Sequence, residues 1–571
     1  MSSIDWIILS ITLLTIIGYG LYKSRTSKNL DGYFLNNRSM PWYLVLLSIM
    51  GTQASAITFL SAPGQAFTDG MRFVQYYFGL PIAMVVLCIT FVPLFHKLKV
   101  FTAYEFLEKR FDLRVRTFTS FLFLLSRGLA TGISIYAPSI ILSSLLGWNI
   151  FYTNIVMGGL LIIYTVSGGA KAVAYTQKLQ LIVIFCGMFA AGYYIIHLLP
   201  NNVGFIDAFK ISGVNGKLNV ITTGFTKNGF DWKDKYNIVS GIIGGFFLAL
   251  SYFGTDQSQV GRYLTAKDDK ESKLGLLMNG LVKVPMQFSI LLLGALLFVF
   301  YQFKPMPIYF DKAAEIKVYQ SVYKDSMQHV QQAYYLVQTK KQDLSLQFIK
   351  NNSESLKLQI RNQKFKEDSL RSLASHYAKA SNASPDGKDT NYIFLRFVVD
   401  NLPKGLVGLL IAIIFLSAWG SIAASLNSLA GCTMIDFHLR FTKQKATEKR
   451  EYDLSKFYTF VWGVFCIVVA ELATGMGSLI EAVNVLGSLF YGVILGIFLV
   501  AFYCKNVKAN SVFAAAIITE LIVITLFTLD KFEIIGLGFL WLNVVGAVLV
   551  VLFSLIFQLA FKNAYLRQPK L

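Results

Sequence analysis

The chain has 571 residues, 55% of them hydrophobic and 15% charged, with a formal charge of +20 and a mean hydropathy of +0.54. So much apolar sequence excludes a soluble globular protein and marks a polytopic membrane protein, with the lipid bilayer as its solvent. On a soluble chain the charge would suggest nucleic acid; here the basic residues lie in short loops between apolar spans, the positive-inside pattern, which argues against a nucleic-acid partner.

About twenty apolar residues span a bilayer. Thirteen candidate spans follow: 5–22, 41–63, 71–95, 117–146, 151–166, 173–198, 236–259, 275–302, 404–434, 456–473, 480–503, 511–528 and 534–561. The first run has no positive residue before it and Lys23 and Arg25 after it. A signal peptide has the opposite flanks, so a retained helix with its N-terminus outside is expected. The inner loops then hold Lys23, Arg25, Lys28, Arg38, Lys97, Lys99, Arg114, Arg116, Arg440, Lys443, Lys445, Lys449 and Arg450. The C-terminus, with Lys562, Arg567 and Lys570, is expected in the cytoplasm, at the cell membrane.

The second span, Pro41 to Gly64, carries the small polar run Gly51-Thr52-Gln53-Ala54-Ser55-Ala56 at mid-depth. Two readings stand. A break in the helix lines a cavity and presents bare carbonyls to a cation, or small residues let helices pack closely. In the fourth span lies Arg127. A mid-membrane arginine costs roughly 2.5–3.5 kcal/mol or more. It is either paired with an acid or carbonyls, or it anchors an anionic solute through two parallel hydrogen bonds.

Between the eighth and ninth spans, residues 304–393 form a long charged insertion outside the membrane. Asp311 to Ala380 lacks Pro and Gly and predicts two or more exposed helices, ending at the turn Ser384-Pro385-Asp386-Gly387. Asn351 and Asn382 each begin an N-x-S sequon. The insertion reads as a solvated, dispensable spacer, or as a docking site for a partner. In the ninth span Ser417, Ser421, Ser425 and Ser428 recur at spacings of four, four and three, on one helix face. A polar stripe in a membrane faces protein, water or an ion. Hydroxyl bonding to the carbonyl one turn back explains one or two serines better than four. The five cysteines read as packed thiols, and no nucleophile elbow, zinc spacing or phosphate loop is present, so the protein is not expected to be an enzyme.

These segments together resemble the sodium/solute symporter family. The resemblance covers most of 1–303 and 394–505. It rests on PWYLVLLSIMGTQASAITFLSAPG, SGGAKAVAYTQKLQ (167–180), LSYFGTDQSQVGRYLTAKD (250–268), LVKVP (281–285) and SLNSLAGCTMID (425–436). It implies an all-α membrane protein with a five-plus-five inverted-repeat core (LeuT-like) whose first helices are broken. Its divisions would be 1–40 as first helix and inner loop, 41–198 as repeat A and 199–235 as an outer loop. Residues 236–303 and 394–505 would form repeat B around the 304–393 insertion, with 506–571 as peripheral helices and tail.

The resemblance implies a sodium-coupled symporter importing a small organic solute, such as a sugar, sialic acid or another organic anion, with sodium as the coupling ion. A proton-coupled or uncoupled transporter is one alternative, and a receptor or scaffold acting through the insertion is another. By motif register the sodium ligands would come from Gly51, Ala54, Ser417, Gly420 and Ser421, with Gly420 where the family usually has a hydroxyl. The solute would meet Gln53, Thr58, Gln75, Tyr76, Tyr77, Arg127, Tyr252 and Lys283, although the acid that sugar carriers place near Tyr77 is absent. Two-sodium members carry T-D-x-x-Q; this chain reads Thr176-Gln177-Lys178-Leu179-Gln180, which implies one sodium per solute.

Overall fold

The computed structural model describes residues 1–24, 30–442, 447–473 and 476–566, excepting the side chains of 20, 21, 23, 24, 30, 31, 167–172 and 561–566. The basic residues expected at Arg25, Lys28, Lys443, Lys445, Arg567 and Lys570 lie outside the described residues. Apart from a small hairpin, β1 (Phe225–Thr226) with β2 (Gly229–Phe230), the regular structure described is helical. Nine described helices are long and apolar enough to cross a membrane, or ten if one bent pair counts as a single span. Shorter apolar helices cover Ser3–Tyr19, Ile150–Val166 and Ser240–Thr255. The chain is a multi-pass membrane protein.

The first half runs α1 (Ser3–Ser24), α2 (Trp42–Gln53), α3 (Ala56–Asp69), α4 (Met71–Leu98), α5 (Leu113–Leu146) and α6 (Ile150–His197). The Asp112 carboxylate accepts from the Val115 amide to start α5, and Gly147 at φ 69° ends it. An inner loop was expected at 167–172, yet the backbone of α6 is helical throughout. It is not straight. The Tyr164 hydroxyl lies 2.8 Å from Thr176 Oγ1. Twelve residues of straight helix rise about 18 Å, beyond the reach of both side chains, so the chain bends sharply between them.

The second half runs α7 (Phe205–Val214), α8 (Gly245–Thr255), α9 (Gln257–Tyr263), α10 (Asp269–Phe303), α11 (Lys312–Tyr319), α12 (Lys324–Lys350) and α13 (Glu354–Ala380). After these come α14 (Ile393–Asn401), α15 (Leu406–Cys432), α16 (Glu448–Leu472), α17 (Leu479–Tyr503), α18 (Ala509–Lys531) and α19 (Leu540–Leu566). Helix α15 is buried on all sides and packs on α1, α2, α5, α6 and α16. Its largely apolar composition, with polar side chains only at its serines, Asn427 and the Trp419 indole, suits that central place.

The insertion is not a free spacer. Met327, Val330, Tyr334, Lys341, Leu344 and Phe348 recur at helical spacing and are buried. Helices α12 and α13 pack on each other and against α7, and α12 also packs on α10. Gln338 donates to the carbonyls of Tyr301 and Lys304, each at 2.9 Å. Arg371 grips both oxygens of Asp389, which also accepts from the Phe310 amide at 2.7 Å. Phe310 in turn packs against Phe67 and Tyr301. The polar composition hid this docking because the buried stripe is only one face of each helix.

Lys217 sits beneath this cap. Its ammonium donates to the Thr68 carbonyl at 2.6 Å and lies 4.8 Å from the Phe298 ring centroid. Burial pushes it down to about 7, with Lys364 and Lys341 adding to the effect and Asp368 and Asp69 opposing it. Its folded-state value is therefore below its unfolded one. Between about pH 7 and 10 the unfolded chain binds more protons, so this group makes stability rise with pH across that window. The melting temperature measured from pH 7 to 9 should rise less steeply in Lys217→Met than in the parent; parallel curves would contradict the assignment.

Candidate solute and cation site

Two helix breaks face the centre of the bundle. Helices α2 and α3 meet at 61°, and Ala54 (ψ 76°) and Ser55 (ψ 174°) leave helical geometry between them. The Ala54 amide bonds to the Met50 carbonyl and the Ser55 amide turns to Gln53. The Gly51 and Ala54 carbonyls therefore accept no backbone hydrogen bond among the described residues. In an apolar interior such oxygens seek a cation, a water or a side-chain donor. The second break, at Asp256 (ψ 115°), separates α8 from α9. One oxygen of Asp256 caps α9 by accepting from the Ser258 amide and hydroxyl.

Between the breaks lies a cavity with about 790 Å³ of empty space, counting its open part. Gln53, Thr58, Tyr76, Tyr77, Arg127 and Tyr252 line it, six of the eight expected solute contacts. The other two stand elsewhere. Gln75 is fully engaged with the outer segment: it donates to Thr222 Oγ1 and the Tyr236 carbonyl, and accepts from the Thr222 amide. Lys283 is buried behind the wall, its ammonium 5.7 Å from the Tyr77 ring centroid.

Arg127 is paired. Its Nε and one terminal nitrogen donate to the second oxygen of Asp256, and that terminal nitrogen also donates to the Tyr491 hydroxyl at 2.7 Å. Tyr491 donates to the same carboxylate oxygen at 2.9 Å. The guanidinium also lies beside Tyr252, 5.3 Å from its ring centroid. Gln259 fixes Tyr252 by donating to its hydroxyl at 2.7 Å. Across the cavity Tyr76 donates to Asn484 Oδ1 at 2.9 Å, joining α4 to α17.

The four stripe serines of α15 all donate to helix carbonyls, at Ile414, Ala418, Ser421 and Ala424, with distances of 2.8–3.1 Å. Their oxygens keep lone pairs for another partner. Gln177 of α6 stands between α2 and α15. It accepts from the Ser48 hydroxyl and donates to Thr52 Oγ1 and the Gly420 carbonyl. The glycines on either side make room for it. A Cβ on Gly51 would come within 2.9 Å of Gln177, and one on Gly420 within 2.6 Å of Gln180 Oε1. Two glutamine side chains thus fill the space beside Gly420.

Asp256 and Tyr491 are the site residues that sequence reasoning missed. The signal was present: an acid in the motif LSYFGTDQSQVG, next to an apolar run, is as costly in a membrane as Arg127 and calls for the same partner.

A model of the sodium:solute symporter family matches residues 33–323 and 371–519. The chain is 26% identical over 534 residues to the sodium/sialic acid symporter SiaT of Proteus mirabilis, covering 91% of this chain and 89% of that protein. To the sodium/sialic acid symporter NanT of Aliivibrio fischeri it is 24% identical, over 98% of this chain and 94% of that one. A solved substrate-bound, outward-open Na+-coupled sialic acid symporter shares the fold over 98% of both chains, with a TM-score of 0.75 at 24% identity. All these relatives are transporters and none is an enzyme. The gap in the family match, 324–370, holds all of α12 and more than half of α13.

Proposed function

The chain belongs to the sodium:solute symporter family, and from that premise we propose that it uses the sodium gradient to import a small organic acid by alternating access. The observation that carries this reading is a helix break whose Gly51 and Ala54 carbonyls lack backbone donors, next to a cavity lined by Gln53, Ser55 and Arg127. Neutral oxygens suit a monovalent cation that must leave again, and an arginine suits a carboxylate. Two sodium-coupled relatives that match over 91% and 98% of this chain carry sialic acid, so that acid is the first solute to test. In the proposed arrangement thirteen spans, counting the three shorter apolar helices, place the N-terminus outside and the C-terminus in the cytoplasm. Residues 41–198 and 236–505, without the insertion, form the two inverted repeats.

Sodium would be held by the carbonyls of Gly51, Ala54 and Ser417 and by the Ser421 hydroxyl, with Gln180 Oε1 in place of the side chain missing at Gly420. This holds α2 against α15 and orders the wall that carries Gln53 and Thr58. Gln53, Thr58, Tyr76 and Tyr77 orient the solute, while Arg127, which lines the cavity, takes its carboxylate without giving up Asp256. Tyr252 and Tyr491 close one side, and the Tyr76–Asn484 bond closes the other.

Uptake of labelled sialic acid, sugars and monocarboxylates into proteoliposomes tests the function. Sodium-driven accumulation of the acid supports it; accumulation driven only by a proton gradient, or none with any solute, overturns it. Ser421→Ala should raise the sodium concentration for half-maximal uptake severalfold at normal protein levels. An unchanged sodium dependence would remove Ser421 from the ligands. The stoichiometry should be one sodium per solute, because the Gln177 amide supplies hydrogen bonds but no charge to offset the lost hydration of a second ion. The ratio of sodium to solute flux measures this, and a ratio near two would refute the argument from Gln177.

A further inference from the structure

A second, smaller cavity opens where α9 meets the last turns of α15, the end of α15 away from the insertion. Gln257, Arg262, Asn427, Ser428, Phe101 and Thr102 are among its lining residues. Arg262 is 2% exposed and Asn427 1%. The Arg262 Nε and both polar atoms of the Asn427 side chain have no hydrogen-bond partner among the described residues. Two acids on adjoining segments, Asp256 at the start of α9 and Asp436 just past α15, are already engaged. Asp256 serves Arg127, Tyr491 and Ser258, and Asp436 serves Arg116, Thr102 and Ser120. The other polar linings are committed too: Gln257 bonds to the backbone of Phe101 and Ala103, and Ser428 donates to the carbonyls of Ala424 and Gln257.

A buried guanidinium without a counter-charge is strongly unfavourable. An unpaired amide beside it adds a second desolvated donor. We infer that this cavity is a binding site for a small monovalent anion, held by the Arg262 guanidinium and the Asn427 amide. One negative charge balances the one positive charge, and the narrow space admits a chloride ion or a single carboxylate group. Such an anion ties α9 to α15. Helix α9 starts at Asp256, the partner of Arg127, so the anion steadies the segment that carries the Arg127–Asp256 pair. The shared ligand chemistry has two sources, a free inorganic anion or the carboxylate of a solute on its way out.

The test uses the purified full-length protein at constant sodium, with gluconate, too large for the cavity, replaced stepwise by chloride or by formate. The melting temperature should rise saturably by at least ~2 °C. Arg262→Gln and Asn427→Leu should each abolish the rise; the second keeps the charge and fills the cavity, and it decides the matter where the first fails to fold. A response to chloride identifies a free anion, and a response to formate alone identifies the carboxylate of a solute. Equal melting temperatures in all three salts, or a rise undiminished in the variants, would overturn the inference. Because sodium is constant and no transport is measured, the result does not depend on the solute proposed above.

Discussion

Asp256→Ala is expected to cut sodium-driven uptake at least tenfold and to lower the melting temperature sharply. The substitution leaves Arg127 buried beside the Tyr491 hydroxyl and Tyr252, without its counter-charge. Removing one partner of a buried ion pair costs about 3–5 kcal/mol, because the other charge stays uncompensated. It also removes the cap on α9, which adds about 1 kcal/mol. The double replacement Arg127→Met with Asp256→Leu separates the two roles. Removing both charges is often neutral for stability, so the melting temperature should recover. Transport should not, since the arginine lining the cavity is gone. Arg127→Lys should behave like the double variant in uptake, because a point charge does not replace the fork. Full transport by the double variant would show that Arg127 serves stability alone.

Replacing residues 312–388 with a short Gly/Ser linker is expected to destabilise the protein severely, with little of it reaching the membrane folded. Loop length is not the cause, since closure entropy grows only logarithmically. The loss lies in what the hairpin covers. Arg371 stands over the Phe67 and Phe310 rings and pairs with Asp389, and Lys341 lies 4.8 Å from the Phe298 centroid. Uncovering a large apolar side chain costs about 1.5–3 kcal/mol, and several are uncovered together. The single substitution Glu367→Ala tests the same cap more gently. It leaves Lys341, 1% exposed, without its ion-pair partner, at about 3–5 kcal/mol. A linker variant with an unchanged melting temperature would show that the hairpin is a removable appendage after all.

The two readings left open on the second span and on Arg127 illustrate what could be read early. The composition of 51–56 announced a special backbone, because small polar residues at mid-depth have no use against lipid. It could not say which carbonyls lose their donors; that follows from the Ser55 amide turning to Gln53. The serine stripe was legible as a stripe, but all four hydroxyls also bond within the helix, so the choice between ligand and helix partner was a false one. Gln75 and Lys283 were placed in the solute wall by motif register, and side-chain direction moved both out of it.

By itself the sequence determined the class of the protein, its membrane character, the unusual small polar run in the second span and the cost of Arg127. These are local properties: hydropathy over twenty residues, the helical period, and the price in free energy of a charge in lipid are all written in contiguous stretches. Only the tertiary structure decided who partners whom. Asp256 is 129 residues from Arg127 and 235 from Tyr491, and Gln177 reaches Thr52 and Gly420 from a third helix. The insertion's buried face likewise acquires its meaning from α7, distant in the chain, and from α10, which precedes it. Such pairings depend on which helix faces meet, and no periodicity within one helix encodes the identity of its neighbour.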